Sequence, residues 1–348
     1  MTNRKTAVVL FNLGGPDSPD AVEPFLYNLF KDPAIIRLPG FIRYPLAKLI
    51  SRKRAPLARQ IYDMIGGSSP LLEQTKDQAK ALQLSLQDNG SFKVFIVMRY
   101  WHPMADEVVQ DVKDYDPDQI VLMPLYPQFS TTTTKSSFED WDRAAISAGL
   151  NKTTKRCCCY ADQDLFVSAY VDLIAPLYAQ ALKDGPTRIL FSAHGLPEKI
   201  SNDGDPYAAQ VHDSVRAIIE QLGKDTDEKI DHLVCFQSRV GPLKWIGPST
   251  DDAIAEAGQD GVGVLIVPIA FVSEHSETLV ELDIEYKELA LEKGVRSYIR
   301  VPTVGVEKDY IDCLHQLVLD SLNQGQDIHS ASKRMCGLSD HGCPNICK

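Results

Sequence analysis

Most of the short motifs that reveal an enzyme's chemistry are missing from this sequence. It has no phosphate loop ending in Gly-Lys-Ser or Gly-Lys-Thr, no Gly-x-Ser-x-Gly nucleophile turn and no His-Glu-x-x-His zinc helix. The Leu13-Gly14-Gly15-Pro16 turn follows a strand pattern, but it does not match Gly-x-Gly-x-x-Gly, and its proline does not suit the start of a dinucleotide-binding helix. These absences argue against nucleotide hydrolysis, serine hydrolase chemistry, zinc proteolysis and hydride transfer.

A surplus of positive charge and long apolar runs are missing as well. Lys and Arg number 36 against 47 Asp and Glu, and the net charge of −11 argues against general affinity for nucleic acid or for anionic membranes. No apolar run approaches the roughly 18 residues that suggest a membrane-spanning helix. Residues 2–5 lead directly into a strand pattern, without the apolar core of a signal peptide. We therefore expect a cytoplasmic protein that does not bind nucleic acid.

The order of the apolar patterns predicts an α/β protein. Its 348 residues suggest one large domain or two fused ones. Short runs rich in Val, Ile and Leu predict strands at 7–12, 93–98, 119–124, 188–192, 232–236 and 262–269. Helical patterns lie between them, at 71–87, 166–182 and 206–222. Strands that alternate with helices are typical of parallel sheets covered on both faces.

The strand patterns recur in the two halves of the chain. Segments 10–16, 94–103 and 121–126 are similar to 190–197, 233–242 and 264–271. We therefore predict an internal duplication, with Rossmann-like halves at residues 1–160 and 161–325, each a doubly wound parallel sheet, and a ligand cleft between them. A cysteine-containing extension would cover residues 326–348, and residues 34–65 would form an insertion in the first half.

The insertion at residues 34–65 has a composition of its own. Seven basic residues and no acidic one lie between Arg37 and Arg59, interleaved with large apolar side chains. A basic amphipathic stretch of this kind can rest in a membrane interface, with its apolar side in the acyl boundary and its basic residues at the lipid phosphates. A surface helix packed on its own domain and an apolar lid over a flat ligand are the alternatives.

Two motifs place chemically active side chains at predicted strand ends. Ser192-Ala193-His194-Gly195-Leu196-Pro197 follows one strand pattern, and residues 273–286, which include His275 and Glu277, follow another. In an open α/β sheet the carboxyl ends of the strands border the ligand site, so His194 and Glu277 are predicted to meet. Imidazole accepts protons near neutral pH and binds divalent metals, and a carboxylate supplies a harder oxygen ligand.

Glutamates continue along the predicted helix that begins at Glu277. With about 100° per residue, five of them share one narrow stripe, namely Glu277, Glu281, Glu285, Glu288 and Glu292. Like charges four residues apart are mildly unfavourable. The stripe is therefore mildly unfavourable unless a cation compensates its charge. A solvated acidic face is the alternative, and it fits the end of the stripe better than its start.

Three cysteines lie close together near the end of the sequence. Cys336, Cys343 and Cys347 have the spacing Cys-x6-Cys-x3-Cys, which matches no zinc ribbon, and disulfides are rare in cytosolic proteins. We predict an iron–sulfur cluster in preference to zinc, with a fourth ligand from Cys157-Cys158-Cys159, expected in a loop. His341 is the alternative ligand if the metal is zinc.

Six ordered motifs resemble the ferrochelatase family. They are residues 12–16, Met98-Arg99-Tyr100-Trp101-His102-Pro103, residues 124–130, residues 191–197, residues 237–242 with Trp245, and residues 268–286. The resemblance runs from about residue 7 to about residue 320. It implies a lyase that inserts Fe²⁺ into protoporphyrin IX and forms protohaem, the terminal step of haem biosynthesis.

The resemblance also implies roles by motif position. His194 and Glu277 would be the catalytic pair, with His194 either accepting pyrrole protons or holding iron, and Glu281 and Glu285 would continue as a path for iron or protons. Cleft contacts to the porphyrin would come from Leu13, Arg99, Tyr100, Ser130, Trp245 and Phe271. Arg99 suits a propionate, and Leu13 is similar to the protoporphyrin-using branch, because the coproporphyrin-using branch carries tyrosine there.

The resemblance implies partners and a cofactor too. The insertion resembles the family's apolar lip, which implies peripheral binding to the inner membrane face, and relatives that hold a cluster imply a homodimer. Animal members hold a [2Fe–2S] cluster with the tighter spacing Cys-x2-Cys-x4-Cys, whereas some bacterial members resemble this chain. We expect Cys158, with Cys157 or Cys159 as alternatives, to complete a structural or sensing [2Fe–2S] cluster with Cys336, Cys343 and Cys347.

Two other functions are compatible with the same residues. Another tetrapyrrole chelatase, specific for cobalt, nickel or coproporphyrin, would share the fold and the His194–Glu277 pair. A non-enzymatic haem-binding or metal-binding protein would share the residues but would not accelerate metal insertion.

Overall fold

A computed structural model describes residues 4–224, 229–239, 241, 243–323 and 327–331. Within these residues the strands are β1 (Lys5–Asn12), β2 (Ser91–Met98), β3 (Gln119–Pro124), β4 (Thr153–Cys159), β5 (Thr187–His194), β6 (His232–Gln237), β7 (Gly263–Pro268), β8 (Tyr298–Arg300) and β9 (Ile328–Ser330). The α-helices are α1 (Val22–Phe30), α2 (Gly40–Asp63), α3 (Leu71–Ser85), α4 (Ala105–Tyr115), α5 (Thr134–Ala148), α6 (Asp164–Ala181), α7 (Glu198–Asn202), α8 (Tyr207–Leu222), α9 (Thr250–Gln259), α10 (Tyr286–Glu292) and α11 (Lys308–Asn323). A π-helix spans Glu277–Glu285, directly before α10.

The strands form two sheets whose order is the same apart from one added strand. The first sheet has the order β2-β1-β3-β4-β9 and the second has the order β6-β5-β7-β8. In each order the second strand, β1 or β5, pairs in parallel with both neighbours, and we call these two interior strands the central strands. The α/β class and the parallel sheets predicted from the sequence are confirmed, and the shared order is what an internal duplication predicts.

Two compact units contain these sheets. The first comprises the described residues up to Tyr126, then Ser130–Cys158 and Leu314–His329. The second comprises Pro127–Phe129, Cys159–Cys313 and the described residues from Ser330 onward.

The central strands β1 and β5 form because their apolar residues can be covered on both faces. Residues 7–11 of β1 and most of β5 are fully buried, as expected for parallel strands between helices. Val109 of α4 and Trp141 of α5 pack in the core of the first unit, and Ile254 of α9 packs with Tyr286 of α10 in the second. Polar side chains can therefore gather at the strand ends, beyond this covering.

Two local predictions are wrong. Cys157-Cys158-Cys159 lies in strand β4 and is fully buried, not in a loop. The residues before it, 153–156, pair in parallel with β3 and start the strand that the triplet completes. The glutamate-rich segment after β7 begins as a π-helix, not as an α-helix. Among the described residues, no helix is both long enough and apolar enough to cross a membrane.

Candidate active site

His194 is the last residue of β5, the central strand of the second sheet. The chain turns away from the sheet at Gly195, whose backbone N–H donates to the Gln237 carbonyl oxygen at 2.8 Å. A Cβ atom at Gly195 would lie 2.8 Å from that same oxygen, so this close approach requires glycine. The Tyr207 hydroxyl donates to the His194 carbonyl oxygen at 3.1 Å. Backbone packing thus holds the imidazole at the end of the sheet.

Glu277 is the first residue of the π-helix, and it lies against His194 as predicted. Nδ1 of His194 is 2.8 Å from Oε2 of Glu277. The His194 side chain is 43% exposed and that of Glu277 is 22% exposed, so the imidazole can still be reached from outside. Burial opposes both charges, but the pairing outweighs it: the pKa of His194 is raised and that of Glu277 is lowered well below its usual value. The Glu277 carboxylate therefore makes the imidazole a stronger base and stabilises the imidazolium that forms when it gains a proton.

Glu281 lies one step further along the π-helix and is held by two residues at the end of β6. Its Oε2 accepts hydrogen bonds from Nε2 of Gln237 at 3.0 Å and from the Ser238 hydroxyl at 2.6 Å. Burial, together with the nearby Glu277 carboxylate, raises the pKa of Glu281 to about 7. Its carboxyl group can therefore gain or lose a proton close to neutral pH.

Gln237 connects this site to the interior of the second sheet. The buried Ser192 hydroxyl donates to Oε1 of Gln237 at 2.8 Å, so the amide nitrogen points toward the π-helix. There Nε2 donates to the Glu277 backbone carbonyl at 3.1 Å as well as to Glu281. One side chain therefore sets the position of two glutamates.

His275, first noticed together with Glu277, also belongs to this group. Its Nε2 is 3.8 Å from Oε2 of Glu277, and its ring lies 4.5 Å, centroid to centroid, from that of Phe271. The pairing places Phe271, one of the predicted porphyrin contacts, beside the catalytic candidates.

The glutamates become more accessible along the helix. Glu277 and Glu281 are partly buried, whereas Glu285, Glu288 and Glu292 are exposed. A cavity of about 670 Å³ in the second unit is lined by Glu281, Glu285 and Trp245, among others. Within the described part of the chain, no three His, Cys, Asp or Glu side chains are arranged to hold a metal ion.

The predicted porphyrin contacts of the first unit gather at the ends of β1 and β2. The backbone N–H of Tyr100 donates to the Leu13 carbonyl oxygen at 3.0 Å. Oδ2 of the buried Asp32 accepts from Nη2 of Arg99 at 2.7 Å, from the Tyr100 hydroxyl at 2.8 Å and from the Ser136 hydroxyl at 2.7 Å. Ser130 is buried before α5.

The predicted cluster ligands are only partly described. Cys158 is in β4, whereas Cys336, Cys343 and Cys347, like His341, lie outside the described residues. Strand β9 brings the chain toward the triplet, because the Ala331 backbone N–H donates to the Cys159 carbonyl oxygen at 3.1 Å. Sγ of Cys159 is 3.1 Å from Oγ of Ser330.

Sequence reasoning assigned no role to several residues of these sites. Gln237 and Ser238 stood in a quoted motif but were not named as candidates, although polar residues directly after a buried strand are a usable signal. Asp32 and Arg300 gave no such signal, since their partners are distant in sequence.

The two parallel sheets, one of which ends on a histidine–carboxylate pair, form a fold that a solved chelatase structure shares. A solved structure of the sirohydrochlorin chelatase from Bacillus subtilis subspecies spizizenii, in complex with cobalt, is similar with a TM-score of 0.54 at 12% identity, covering 93% of this chain and 98% of that one. The sequence model of the ferrochelatase family matches residues 5–322. The chain belongs to the ferrochelatase family.

Curated relatives support this assignment along most of the sequence. A ferrochelatase from a Wolbachia strain of Drosophila simulans is 53% identical over 318 residues, which are 91% of this chain and 99% of the relative. A ferrochelatase from Caulobacter vibrioides is 50% identical over 345 residues, or 98% of this chain and 97% of the relative.

Proposed function

We propose that this protein is a ferrochelatase that inserts Fe²⁺ into protoporphyrin IX and forms protohaem. Family membership makes it a metal-insertion enzyme. The observation that carries the proposal is the His194–Glu277 pair at the carboxyl end of β5, because metal insertion must remove two pyrrole protons while a cation is delivered. A base paired with a carboxylate suits both tasks.

In the proposed reaction His194 accepts the pyrrole protons. Nδ1 faces Glu277, which leaves Nε2 for the substrate, and the carboxylate stabilises the imidazolium that forms. Glu281 and Glu285 then provide oxygen atoms between the pair and solvent for the departing proton or the arriving Fe²⁺. The pKa of Glu281 near 7 supports a proton relay at neutral pH. In the alternative assignment His194 holds the iron.

The proposal is tested by an anaerobic absorbance assay of Fe²⁺ insertion into protoporphyrin IX. We expect the wild-type protein to form protohaem, and His194→Ala and Glu277→Gln each to lower kcat by about 10²–10⁴-fold. His232→Gln is the matched control, because His232 begins β6 and its Nδ1 lies 2.9 Å from the Ile230 carbonyl oxygen. Full insertion rates in both site variants would contradict the assignment.

The rival substrates are separated by the same assay. Wild-type kcat/KM measured with Fe²⁺, Co²⁺ and Ni²⁺, and with protoporphyrin against coproporphyrin, ranks the possible reactions. A preference for cobalt, nickel or coproporphyrin would overturn the proposed substrates. Tight haem or metal binding without insertion would instead support a carrier.

For the porphyrin itself we propose contacts from Leu13, Tyr100, Ser130, Trp245 and Phe271, with Arg99 at a propionate. The Arg99 guanidinium already binds Asp32, and its Nη1 lies 3.4 Å from Oδ2 of Asp140. Because this contact is longer, Nη1 is the guanidinium nitrogen best able to donate a hydrogen bond to a propionate. Arg99→Leu is expected to raise the KM for porphyrin more than that for iron.

We also propose that α2 docks on an anionic membrane surface, as a cytoplasmic protein would on the inner face. The helix packs against α1 through small residues such as Ala47, Ser51 and Ala55, which are buried. Its large apolar residues remain exposed, including Phe41, Ile42, Leu49 and Leu57. Basic residues beside them suit lipid phosphates.

Sedimentation with vesicles of phosphatidylglycerol and phosphatidylcholine tests this docking. Phe41→Ser is expected to lower the bound fraction several-fold. Ile146→Ser is the matched control, because Ile146 and Phe41 are each 79% exposed and Ile146 lies on α5. Equal losses in both variants would contradict a specific membrane face.

The homodimer implied by family resemblance stays a prediction that sedimentation equilibrium would test.

The remaining proposal is a [2Fe–2S] cluster held by Cys158, Cys336, Cys343 and Cys347. Thiolates suit iron–sulfur clusters, and Ala331 beside β4 lies five residues before Cys336, a span of at most about 18 Å. Successive strand residues point to opposite faces, so Cys158 faces away from Cys157 and Cys159. When bound, the cluster would supply structural or sensing chemistry, since metal insertion changes no oxidation state.

Visible absorption and iron and sulfide analysis of anaerobically purified protein test the cluster. Cys158→Ser is expected to abolish the absorption bands, whereas Cys157→Ser and Cys159→Ser retain them. A colourless protein with stoichiometric zinc would contradict the cluster.

A further inference from the structure

We propose that Arg300 is a positioning residue for metal insertion, which fixes Glu277 by binding carboxylates on both sides of it in the chain. The inference rests on the proposed function of Glu277. Arg300 ends β8, which lies beside β7 in the second sheet. Its side chain is 14% exposed and does not touch His194 or Glu277 in the described contacts.

The contacts of Arg300 reach both flanks of Glu277. On the carboxyl side, Nε and Nη2 donate to the two carboxylate oxygens of Asp283 at 2.7 Å each. On the amino side, Nη1 donates to Oε1 of Glu274 at 2.7 Å. Glu274 lies three residues before Glu277, and Asp283 lies within the π-helix. The planar guanidinium thereby connects the segment before the π-helix, at Glu274, to the π-helix itself.

Other contacts hold the same two segments. The Thr303 backbone N–H donates to Oε1 of Glu274 at 3.0 Å. The Tyr298 hydroxyl donates to the Leu282 carbonyl oxygen, in the π-helix, at 2.6 Å. Because β8 carries Tyr298 and Arg300, one short strand restrains the helix at two neighbouring residues.

The need for such restraint follows from the helix type. A π-helix is rare and depends on its surroundings, and here it begins at the residue that contacts His194. Small displacements of a catalytic group can lower rates strongly. If the Arg300 contacts were lost, Glu277 would keep its chemistry but lose its fixed distance to the imidazole.

Arg188 is a matched arginine whose ion pairs, among the described residues, lie outside this segment. It is 13% exposed, belongs to the same sheet and binds Asp231, Glu256 and Asp260. It lies near the start of β5, whereas His194 lies at its end. Loss of either arginine breaks partly buried ion pairs, but only loss of Arg300 should disturb Glu277.

The experiment compares Arg300→Lys and Arg300→Gln with Arg188→Lys and Arg188→Gln in the full-length protein. Iron-insertion kinetics, thermal unfolding and hydrogen exchange of the amides of Glu277–Glu285 are measured for each. We expect both Arg300 variants to lower kcat at least tenfold, with the KM for porphyrin within about twofold of wild type. The Arg188 variants should keep wild-type kcat at a similar loss of Tm.

The outcomes separate this inference from the proposed function. If the wild-type protein inserts iron and Arg300→Lys keeps its full kcat, charge alone suffices and the positioning role is wrong. If the wild-type protein inserts no iron, the proposed function fails. Hydrogen exchange of the π-helix amides then still tests whether Arg300 restrains the π-helix. Faster exchange in Arg300→Lys but not in Arg188→Lys supports the restraint, and equal exchange overturns it.

Discussion

The central strands of the two sheets occupy the same place but end on different chemistry. β1 and β5 are each eight residues long and lie between equivalent neighbours. β1 ends at the buried Asn12, whose side chain binds the Leu13 N–H at 2.8 Å and the Thr75 hydroxyl at 3.0 Å. β5 ends at the half-exposed His194, which pairs with Glu277.

The polar groups near these two strand ends therefore do different work. In the first unit they satisfy one another around Asp32, which accepts three hydrogen bonds on one oxygen. In the second unit they hold acids and a base whose pKa values are displaced from their ordinary ranges. The repeated topology places a residue at the end of each central strand. The type of that residue decides whether the position stabilises the fold or carries out chemistry.

Exchanging the second strand end for the first gives the largest predicted effect. His194→Asn places the amide found at Asn12 at the end of β5. We expect kcat for iron insertion to fall by about 10²–10⁴-fold, because an amide cannot accept the proton. The free energy of unfolding near pH 7 should change by less than about 1 kcal/mol, because this pair is partly exposed. A loss of stability as large as the one expected for Asn12→Ala would show that the ends of β1 and β5 are both structural.

Removal of Asp32 should have its main effect on stability. Asp32→Ala leaves the largely buried Arg99 guanidinium without its shortest carboxylate contact. We expect a loss of about 3–5 kcal/mol in the free energy of unfolding, measured with urea. Asp142→Ala is the control, because its ion pair with Arg156 is more exposed and should contribute less than about 1 kcal/mol. Equal losses of unfolding free energy in the two variants would contradict a special structural role for Asp32.

Asn12→Ala tests the end of β1 directly. The change leaves the Leu13 N–H without the side-chain oxygen that binds it and removes a donor from Thr75. A loss of about 1–3 kcal/mol in the free energy of unfolding is expected. The exposed Asn151→Ala variant should stay within about 0.5 kcal/mol of wild type. No change at Asn12 would contradict its structural role.

The smallest effect concerns the pH dependence of stability. Because the pKa of Glu281 is raised to about 7, the folded protein keeps a proton that the unfolded chain releases at lower pH. Wild-type stability should therefore fall as pH rises from the ordinary carboxyl range through about 7. Glu281→Gln removes this fall, and metal-free protein should gain on the order of 1–2 kcal/mol relative to wild type above pH 7.

Urea unfolding at pH 5, 6, 7 and 8 measures this difference. The exposed Glu285→Gln variant is the control and should follow the wild-type curve in parallel. A Glu281→Gln difference that is the same at every pH would contradict the raised pKa of this carboxyl group.

Much of the fold and the central pair could be predicted because they depend on local pattern. Strand 119–124 was predicted with its observed bounds, and the other predicted strands overlap β1, β2, β5, β6 and β7. His194 and Glu277 meet because His194 ends β5 and Glu277 follows the neighbouring strand β7 of the same parallel sheet. The short strands β8 and β9 escaped prediction, since three residues carry too little pattern.

The π-helix could not be predicted from the spacing of its glutamates. Side chains distant in sequence hold its backbone carbonyls, Gln237 at Glu277 and Tyr298 at Leu282. The cysteine triplet was expected in a loop for a related reason. Its strand begins at residues 153–156, which pair with β3, more than thirty residues earlier in the chain. Contacts of this kind leave no periodic trace in the sequence.

The sequence alone determined the α/β class, the family and the His194–Glu277 pair. Buried strands and the polar residues after them can be recognised from short stretches of sequence. Only the tertiary structure decided that the pKa of Glu281 is raised to about 7 and that Asp32 binds Arg99. It also decided that Arg300 binds carboxylates on both sides of Glu277 in the chain. Protonation and positioning depend on distances and on exclusion of water, which arise when distant segments pack together.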